Sequence, residues 1–116
     1  MQKVTIWHNP RCSKSRETLT LLQGRHIEPE VREYLKSAPS VAEIEAALMQ
    51  LGIEPRALMR RDEEVYKRLD GDNPKLSRTE LVAMMHAHPL LIQRPVVFAN
   101  GKARLGRPPE SVLEIL

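Results

Sequence analysis

The stretch KVTIWHNPRCSKSR, residues 3–16, decides the fold because it passes from a strand through a polar corner into a helix. The β-branched residues Val4 and Ile6 predict a short strand. A helix is predicted from Ser13 to about Gln23, since apolar residues recur on one of its faces. Cys12, the single cysteine, therefore lies at or just before the N-terminus of this helix.

This position favours the ionised form of Cys12, because unpaired amide donors and the helix dipole stabilise negative charge there. Such surroundings bring a thiol pKa from about 8.5 down to roughly 3.5–7.5. Arg16 projects from the same helix face, and His8 and Ser15 are near enough to donate hydrogen bonds to a thiolate. We therefore predict that Cys12 is a nucleophile stabilised by His8, Ser15 and Arg16. The loop can also hold an oxyanion on its backbone N–H groups.

Two plainer interpretations stand beside this one. A lone cysteine in an intracellular domain is more often a small buried hydrophobe than a reactive group. His8 is equally suited to a capping or hydrogen-bonding role in the loop. The many polar and cationic residues around Cys12 favour the reactive interpretation, because such a corner is a poor place to bury a side chain.

Length and composition predict one domain, residues 1–116, with a hydrophobic content of 41% and a charged content of 28%. No apolar run reaches the roughly 20 residues that span a bilayer, and no signal-peptide core is present. We therefore expect a cytoplasmic protein without a membrane partner. A single cysteine excludes an internal disulfide, so an oxidised Cys12 needs a thiol from another molecule.

Charge and residue types narrow the partners further. The net charge is +3 and 3% of residues are aromatic, with scattered cations and no nucleic-acid motif, so no nucleic-acid partner is expected. No histidine pair has the spacing of a metal-binding motif, and we expect neither a metal site nor a bound cofactor.

The rest of the chain predicts an α/β protein. Residues 30–35 alternate as a second strand, which completes a parallel βαβ unit. A helical block follows, with capping boxes at Ser40/Glu43 and Ser77/Glu80. Residues 94–99 and 102–105 flank Asn100-Gly101, the signal for a hairpin with a type I′ turn. Residues 110–116 predict a final amphipathic helix.

Together these elements predict a thioredoxin-like fold, a βαβ unit plus a C-terminal β-hairpin and helix, with a helical insertion between them. The active cysteine falls at the end of the first strand. Pro95 begins the strand expected beside Cys12, and we predict that the Arg94-Pro95 bond is cis.

Four separated motifs carry a family resemblance. They are His8-Asn9-Pro10 followed by Cys12, Ser15 and Arg16; Arg56-Ala57-Leu58-Met59-Arg60; Leu91-Ile92-Gln93-Arg94-Pro95; and Arg104-Leu105-Gly106-Arg107-Pro108. In these motifs the chain resembles the glutaredoxin-coupled arsenate reductases, the ArsC family. Residues 11–16 and 100–104 are most similar to its YfgD-like branch.

The resemblance implies an arsenate reductase in which Cys12 attacks the substrate and Arg60, Arg94 and Arg107 bind the oxyanion. It also implies glutathione as co-substrate and glutaredoxin as partner. We expect the protein to be a monomer. Arg94 and Arg107 flank the predicted hairpin, and antiparallel pairing brings them to one end of the sheet. Arg61 is the alternative to Arg60 if the helix phase differs. Any one arginine taken alone is more often a solvated surface cation.

Two rival functions stay open. The first is a non-catalytic regulatory or interaction protein of the Spx type, which resembles this family. The second is a monothiol enzyme that acts on another substrate. Ser15 occupies the place of a resolving cysteine, which argues against a dithiol oxidoreductase. Ser13-Lys14 replaces the Gly-Thr that follows the cysteine in well-established arsenate reductases, so the loop differs there.

Overall fold

The computed structural model describes residues 3–116, which form two compact units. The first unit holds residues 3–37 and 94–116, and the second is Ala38–Gln93. The prediction that residues 1–116 make a single domain stays a prediction. Among the described residues, no helix is both long enough and apolar enough to cross a membrane.

The first unit is built on a four-stranded sheet. Its strands are β1 (Val4–Trp7), β2 (Glu30–Arg32), β3 (Val96–Ala99) and β4 (Lys102–Leu105), in the order β2-β1-β3-β4. β1 pairs in parallel with β2 and antiparallel with β3, and β3 pairs antiparallel with β4. Helix α1 (Ser13–Gly24) connects β1 to β2, and a 3₁₀ helix, Pro109–Ile115, follows β4. The predicted βαβ unit and hairpin are confirmed.

The core of the first unit explains why these elements form. Alternate residues of β1 and β3 bury their side chains together with one face of α1 and the last helix. The cluster consists of Val4, Ile6, Leu22, Val97, Ala99, Val112 and Ile115. In the strand order, β1 lies between β2 and β3. The loop after β1 therefore starts from a strand that is paired on both edges and buried in the core.

Local sequence signals determine the turns. Asn100 and Gly101 have φ angles of 56° and 75°, which confirms the type I′ turn, since both central residues of that turn need positive φ. The Arg94-Pro95 bond is cis, as predicted, and so is Arg107-Pro108, which the sequence analysis did not anticipate.

Three predicted elements differ in the structure. β2 ends at Arg32 rather than at residue 35, because the chain turns there and the N–H groups of Lys36 and Ser37 bond to the carbonyl of Glu33. Tyr34 is buried in this turn, so the alternation that predicted a longer strand comes from a turn residue.

β3 begins at Val96 rather than at residue 94 or 95, since proline has no N–H to donate within a sheet. The final helix, predicted over residues 110–116, is a 3₁₀ helix, Pro109–Ile115, and it begins at a proline because the first N–H of a helix needs no partner within it.

The second unit is helical, as predicted. It contains α2 (Val41–Leu51), α3 (Glu64–Arg68), α4 (Arg78–Ala87) and the 3₁₀ helices Pro55–Leu58 and Pro89–Leu91. Both capping boxes are confirmed. The helices bury an apolar core of their own, which includes Ile44, Leu48, Leu58, Tyr66, Val82, Met85, Leu91 and Ile92.

Gly106 lies against Thr18 and Pro95, which leave no space for a side chain at this position. A Cβ there would lie 2.7 Å from Pro95 Cγ and closer still to Thr18 Oγ1. We expect Gly106→Ala to lower the free energy of unfolding by about 1–3 kcal/mol, since both neighbours are packed and must move. Urea unfolding measures the change.

Gly24→Ala is the matched control, because apart from the adjoining residues and the backbone of α1 itself, no atom of residues 3–116 lies within 4 Å of a Cβ at Gly24, at the end of α1. We expect it to raise stability by about 0.4–1 kcal/mol through the lower entropy of the unfolded chain. Equal effects of the two substitutions would contradict the packing argument for Gly106.

Candidate active site

Cys12 lies where β1 gives way to α1. It occupies the N-cap position of α1 with extended backbone angles, φ −95° and ψ 124°, and it is 8% exposed. No side-chain capping hydrogen bond of regular geometry closes this end of α1. The N–H groups of the first turn are therefore directed toward the end of the helix at which the sulfur lies.

The pKa of the Cys12 thiol lies below its usual value. Burial is the largest single influence and raises the pKa, but the other influences together exceed it. In order, these are the backbone N–H of Ser15, the positive charge of Arg94, the backbone N–H of Lys14 and a hydrogen bond from the Arg94 side chain. The sulfur is thus made more acidic by the start of α1 and by a guanidinium from a distant part of the chain.

Arg94 and Arg107 both reach the sulfur. Arg107 Nη2 lies 3.6 Å from Cys12 Sγ, and Arg107 Nε donates to the carbonyl of Arg94 at 2.9 Å. Arg94 precedes β3 and Arg107 follows β4, so antiparallel pairing brings the two positions to one end of the sheet, as expected. The first unit therefore gathers one thiol and two guanidinium groups at this edge.

Arg94 has donors without acceptors. Its Nε and Nη1 atoms are buried and make no hydrogen bond within residues 3–116. Buried donors are almost always paired, and a buried charge without partners is costly. Two such donors beside an acidic thiol suit an anionic ligand that brings several oxygen acceptors.

His8 and Ser15 form a buried pair next to Cys12. His8 Nδ1 and Ser15 Oγ are 2.7 Å apart, and Ser15 Oγ also accepts the backbone N–H of Asn9 at 3.0 Å. The contribution of Ser15 to the thiol pKa comes from its backbone N–H, not from its hydroxyl as the sequence analysis assumed. The Ser15 hydroxyl is hydrogen-bonded to His8 and Asn9, so its role is to stabilise the loop.

Arg16 lies elsewhere than predicted. Its guanidinium is exposed and its Nη1 donates to the carbonyl of Pro10 at 3.0 Å. Its charge is among the influences that lower the pKa of His8, and it is not one of the influences given above for Cys12. The side chain bends over the loop because that carbonyl offers a nearby acceptor.

Arg60 belongs to the second unit. Its side chain is 18% exposed and pairs with Glu63, and its backbone N–H bonds to the carbonyl of Leu91 at 2.6 Å. Its neighbour Arg61 is exposed and pairs with Asp72, Nη2 to Oδ1, at 2.6 Å. A part for Arg60 in oxyanion binding stays a prediction that rests on the resemblance.

Asn9 was not among the predicted site residues, whereas the backbone N–H of Lys14 is one of the amide donors expected at the start of α1. Asn9 is 9% exposed, and it begins the turn that leads to Cys12. The Asn-Pro pair at residues 9–10 was an available signal, because asparagine before proline favours the start of a turn.

The ArsC family model matches residues 7–115. The chain belongs to the ArsC family. It is 50% identical over 116 residues to YfgD of Escherichia coli, an uncharacterized protein, with 99% of this chain and 98% of that protein covered. It is 49% identical to an arsenate reductase of Haemophilus influenzae, with coverage of 97% and 98%. These relatives confirm the family and the resemblance to YfgD.

Two solved structures have the same fold as this chain and about half of its residues in common. An arsenate reductase from Vibrio cholerae has a TM-score of 0.98 and 54% identity, with 99% of this chain and 98% of that one covered. A protein from Yersinia pestis described as a putative arsenate reductase has a TM-score of 0.94 and 52% identity, with coverage of 97% and 100%. The thioredoxin-like fold predicted for this ArsC-family chain is confirmed.

The pKa of His8 also lies below its usual value. Burial is the main cause, and the Arg16 charge adds to it, while Glu33 acts in the opposite direction. Protonation of His8 is thus easier in the unfolded chain, where the pKa is about 6.5. The stability that neutral His8 contributes is fully present above that pH and is lost as the pH falls below it.

We therefore expect the free energy of unfolding to fall more steeply between pH 7 and pH 5 in the wild type than in His8→Asn. Asparagine keeps a polar partner for Ser15 and removes the titration. Urea unfolding at a series of pH values measures this. Parallel curves for the two proteins would show that His8 does not contribute to the pH dependence.

Proposed function

We propose that this protein is an arsenate reductase that uses glutathione and glutaredoxin as its source of electrons. The unpaired donors of Arg94 beside an acidified Cys12 are the observation that carries the proposal. Relatives that share 49% and 54% of their residues with this chain are named arsenate reductases, which supports the choice of arsenate among oxyanions.

The chemistry requires cations beside the thiolate. Thiolate and arsenate are both anions, so attack is opposed by their mutual repulsion until positive groups neutralise the substrate. Arg94 and Arg107 supply two guanidinium groups at the sulfur. The sulfur attacks arsenic(V), an S–As bond forms, and one arsenate oxygen leaves as water after it gains protons.

The electrons come from thiols outside the chain, because Cys12 is the only cysteine. Glutathione attacks the arsenic bound to Cys12 and forms a second As–S bond. A glutaredoxin thiolate then attacks the glutathione sulfur, the second As–S bond breaks and leaves its electron pair on arsenic, and a second glutathione releases glutathione disulfide from glutaredoxin. Over the cycle, arsenate gains two electrons and loses one oxygen as water, two glutathione thiols become one disulfide, and Cys12 returns to its starting state. Arsenite leaves. We place this reaction, carried out by a monomer, in the cytoplasm, where glutathione keeps thiols reduced.

A coupled assay tests the proposal. Purified protein is mixed with arsenate, glutathione, glutaredoxin, glutathione reductase and NADPH, and the loss of NADPH absorbance is followed. We expect consumption that needs arsenate, glutathione and glutaredoxin together. A rate that is unchanged when arsenate is omitted would reject arsenate reduction. A rate that needs arsenate and glutathione but not glutaredoxin would reject only the glutaredoxin step.

Arg60 gives a separate prediction within this proposal. Its charge is already paired with Glu63, so we expect Arg60→Ala to lower kcat/KM for arsenate by roughly tenfold, less than the loss of an unpaired oxyanion donor. Arg61→Ala is the matched control, since Arg61 is the adjacent arginine and is also in an ion pair. A larger loss with Arg61→Ala would move the assignment to that residue.

The two rival functions predict different behaviour of Cys12. A non-catalytic regulatory protein has no need of a site for an oxyanion, so the unpaired Arg94 donors beside Cys12 favour an enzyme. A monothiol enzyme with another substrate would keep the reactive Cys12 but show no dependence on arsenate in the coupled assay.

A further inference from the structure

We infer that Asn9 is a positioning residue that holds the Cys12 sulfur against the start of α1. This inference rests on the proposed function only in that it takes Cys12 as the nucleophile. The residues that touch the sulfur have been described above. Asn9 is instead the residue that fixes the turn on which the sulfur is carried.

Three hydrogen bonds from Asn9 fix this turn. Its side-chain Oδ1 accepts the N–H of Arg11 at 3.0 Å, and its backbone carbonyl accepts the N–H of Cys12 at 3.0 Å. Its own N–H donates to Ser15 Oγ at 3.0 Å. Asn9 is thus bonded to the residue before Cys12, to Cys12 itself and to the first turn of α1.

Of these three bonds, only the one that Oδ1 accepts from Arg11 is specific to the side chain of asparagine, because the other two use backbone groups that any residue other than proline has. Asn9 is 9% exposed, whereas Pro10 and Arg11, which follow it, are exposed. The Oδ1 bond to the N–H two residues on is the pattern by which asparagine imitates a backbone turn. A residue without that acceptor leaves the Arg11 N–H unpaired and the turn free to adopt other conformations.

The consequence concerns the acidity of Cys12. The backbone N–H groups of Lys14 and Ser15 lower its pKa only while the sulfur stays close to them, because hydrogen bonding falls off steeply with distance and angle. The turn at 9–12 sets the backbone angles that place the sulfur there. If the turn loosens, the sulfur spends less time near these donors and the thiol becomes less acidic.

The test follows alkylation of Cys12 by iodoacetamide as a function of pH, with the full chain. We expect Asn9→Ala to move the midpoint to higher pH and to slow alkylation at pH 7 by roughly three- to tenfold, as a smaller thiolate fraction implies. Asn9→Ser keeps a hydroxyl that forms the same turn more weakly, so a slowing of roughly two- to threefold is expected.

Asn73→Ala is the matched control. Asn73 Oδ1 accepts the N–H of Lys75 at 2.9 Å, the same two-residue turn in the second unit. This variant loses an equivalent hydrogen bond, so we expect its melting temperature to fall while its alkylation profile stays as in the wild type. A merely structural role of Asn9 would produce this same result in Asn9→Ala.

Three outcomes would overturn the inference. These are a wild-type profile in Asn9→Ala, an equal shift in Asn73→Ala, and a wild-type profile in Asn9→Ser if Asn9→Ala does not fold. The assay contains neither arsenate nor glutathione. Failure of the proposed function would therefore leave its result unchanged, and the two failures can be told apart.

Discussion

Replacing Cys12 with serine is expected to lower arsenate-dependent NADPH consumption by roughly 10³-fold or more, to the uncatalysed background. A serine hydroxyl is not ionised at neutral pH, and no base that would activate it is assigned at this site. The structure also offers no second thiol, because Cys12 is the only cysteine of the chain. The coupled assay, run with equal amounts of wild type and variant, measures the loss.

Ser13→Ala is the control for this substitution. Ser13 is exposed and follows Cys12 directly at the start of α1, so the change alters the same turn without touching the sulfur. We expect its rate to match the wild type. Activity of Cys12→Ser at the wild-type level would mean that the reaction does not pass through the sulfur.

Removal of the Arg94 side chain is expected to give the next largest effect. Arg94→Ala loses both the buried unpaired donors and one cause of the lowered Cys12 pKa. By comparison with the loss of a preorganised oxyanion donor, we expect kcat/KM for arsenate to fall by roughly 10²- to 10³-fold. The midpoint of Cys12 alkylation is expected to move to higher pH at the same time.

Two further variants separate charge from geometry at Arg94. Arg94→Lys keeps the charge but not the planar set of N–H donors, so we expect an intermediate loss. Arg104→Ala removes an arginine of β4 that pairs with Glu114, and we expect wild-type kinetics. If Arg94→Ala stays within twofold of the wild type, Arg94 does not bind the oxyanion.

Most of the sheet and the starts of α2 and α4 could be predicted from the sequence because local signals determine them. The β-branched residues of β1, the Asn100-Gly101 turn and the two capping boxes each carry their structure within a few residues. The length of β2 could not be predicted in this way, since Tyr34 continues the alternation although it lies in a turn. Its burial at 1% exposure is not signalled by its immediate neighbours in the sequence.

In the candidate site, too, some features follow from the local sequence and others depend on the folded chain. The position of Cys12 at the start of α1 follows from the strand, corner and helix around it. The partners of individual side chains do not, because each was decided by a hydrogen-bond partner brought close in the folded chain. Arg16 bonds to the carbonyl of Pro10 and the Ser15 hydroxyl to His8 and Asn9, so neither side chain takes the place beside the sulfur that was expected for it.

The bridge that Arg107 makes between the Arg94 carbonyl and the Cys12 sulfur links two kinds of group. The backbone carbonyl is always an acceptor, but the sulfur attracts a cation strongly only while it is an anion. Any covalent bond to the sulfur, whether to arsenic, to glutathione or to an alkylating reagent, removes that charge. One end of Arg107 then loses its anionic partner while the other end stays tethered. The electrostatic attraction between Arg107 and Cys12 therefore depends on whether the sulfur carries a covalent bond. When it does, the positive charge of Arg107 is no longer balanced by the thiolate and lies next to the group attached to the sulfur.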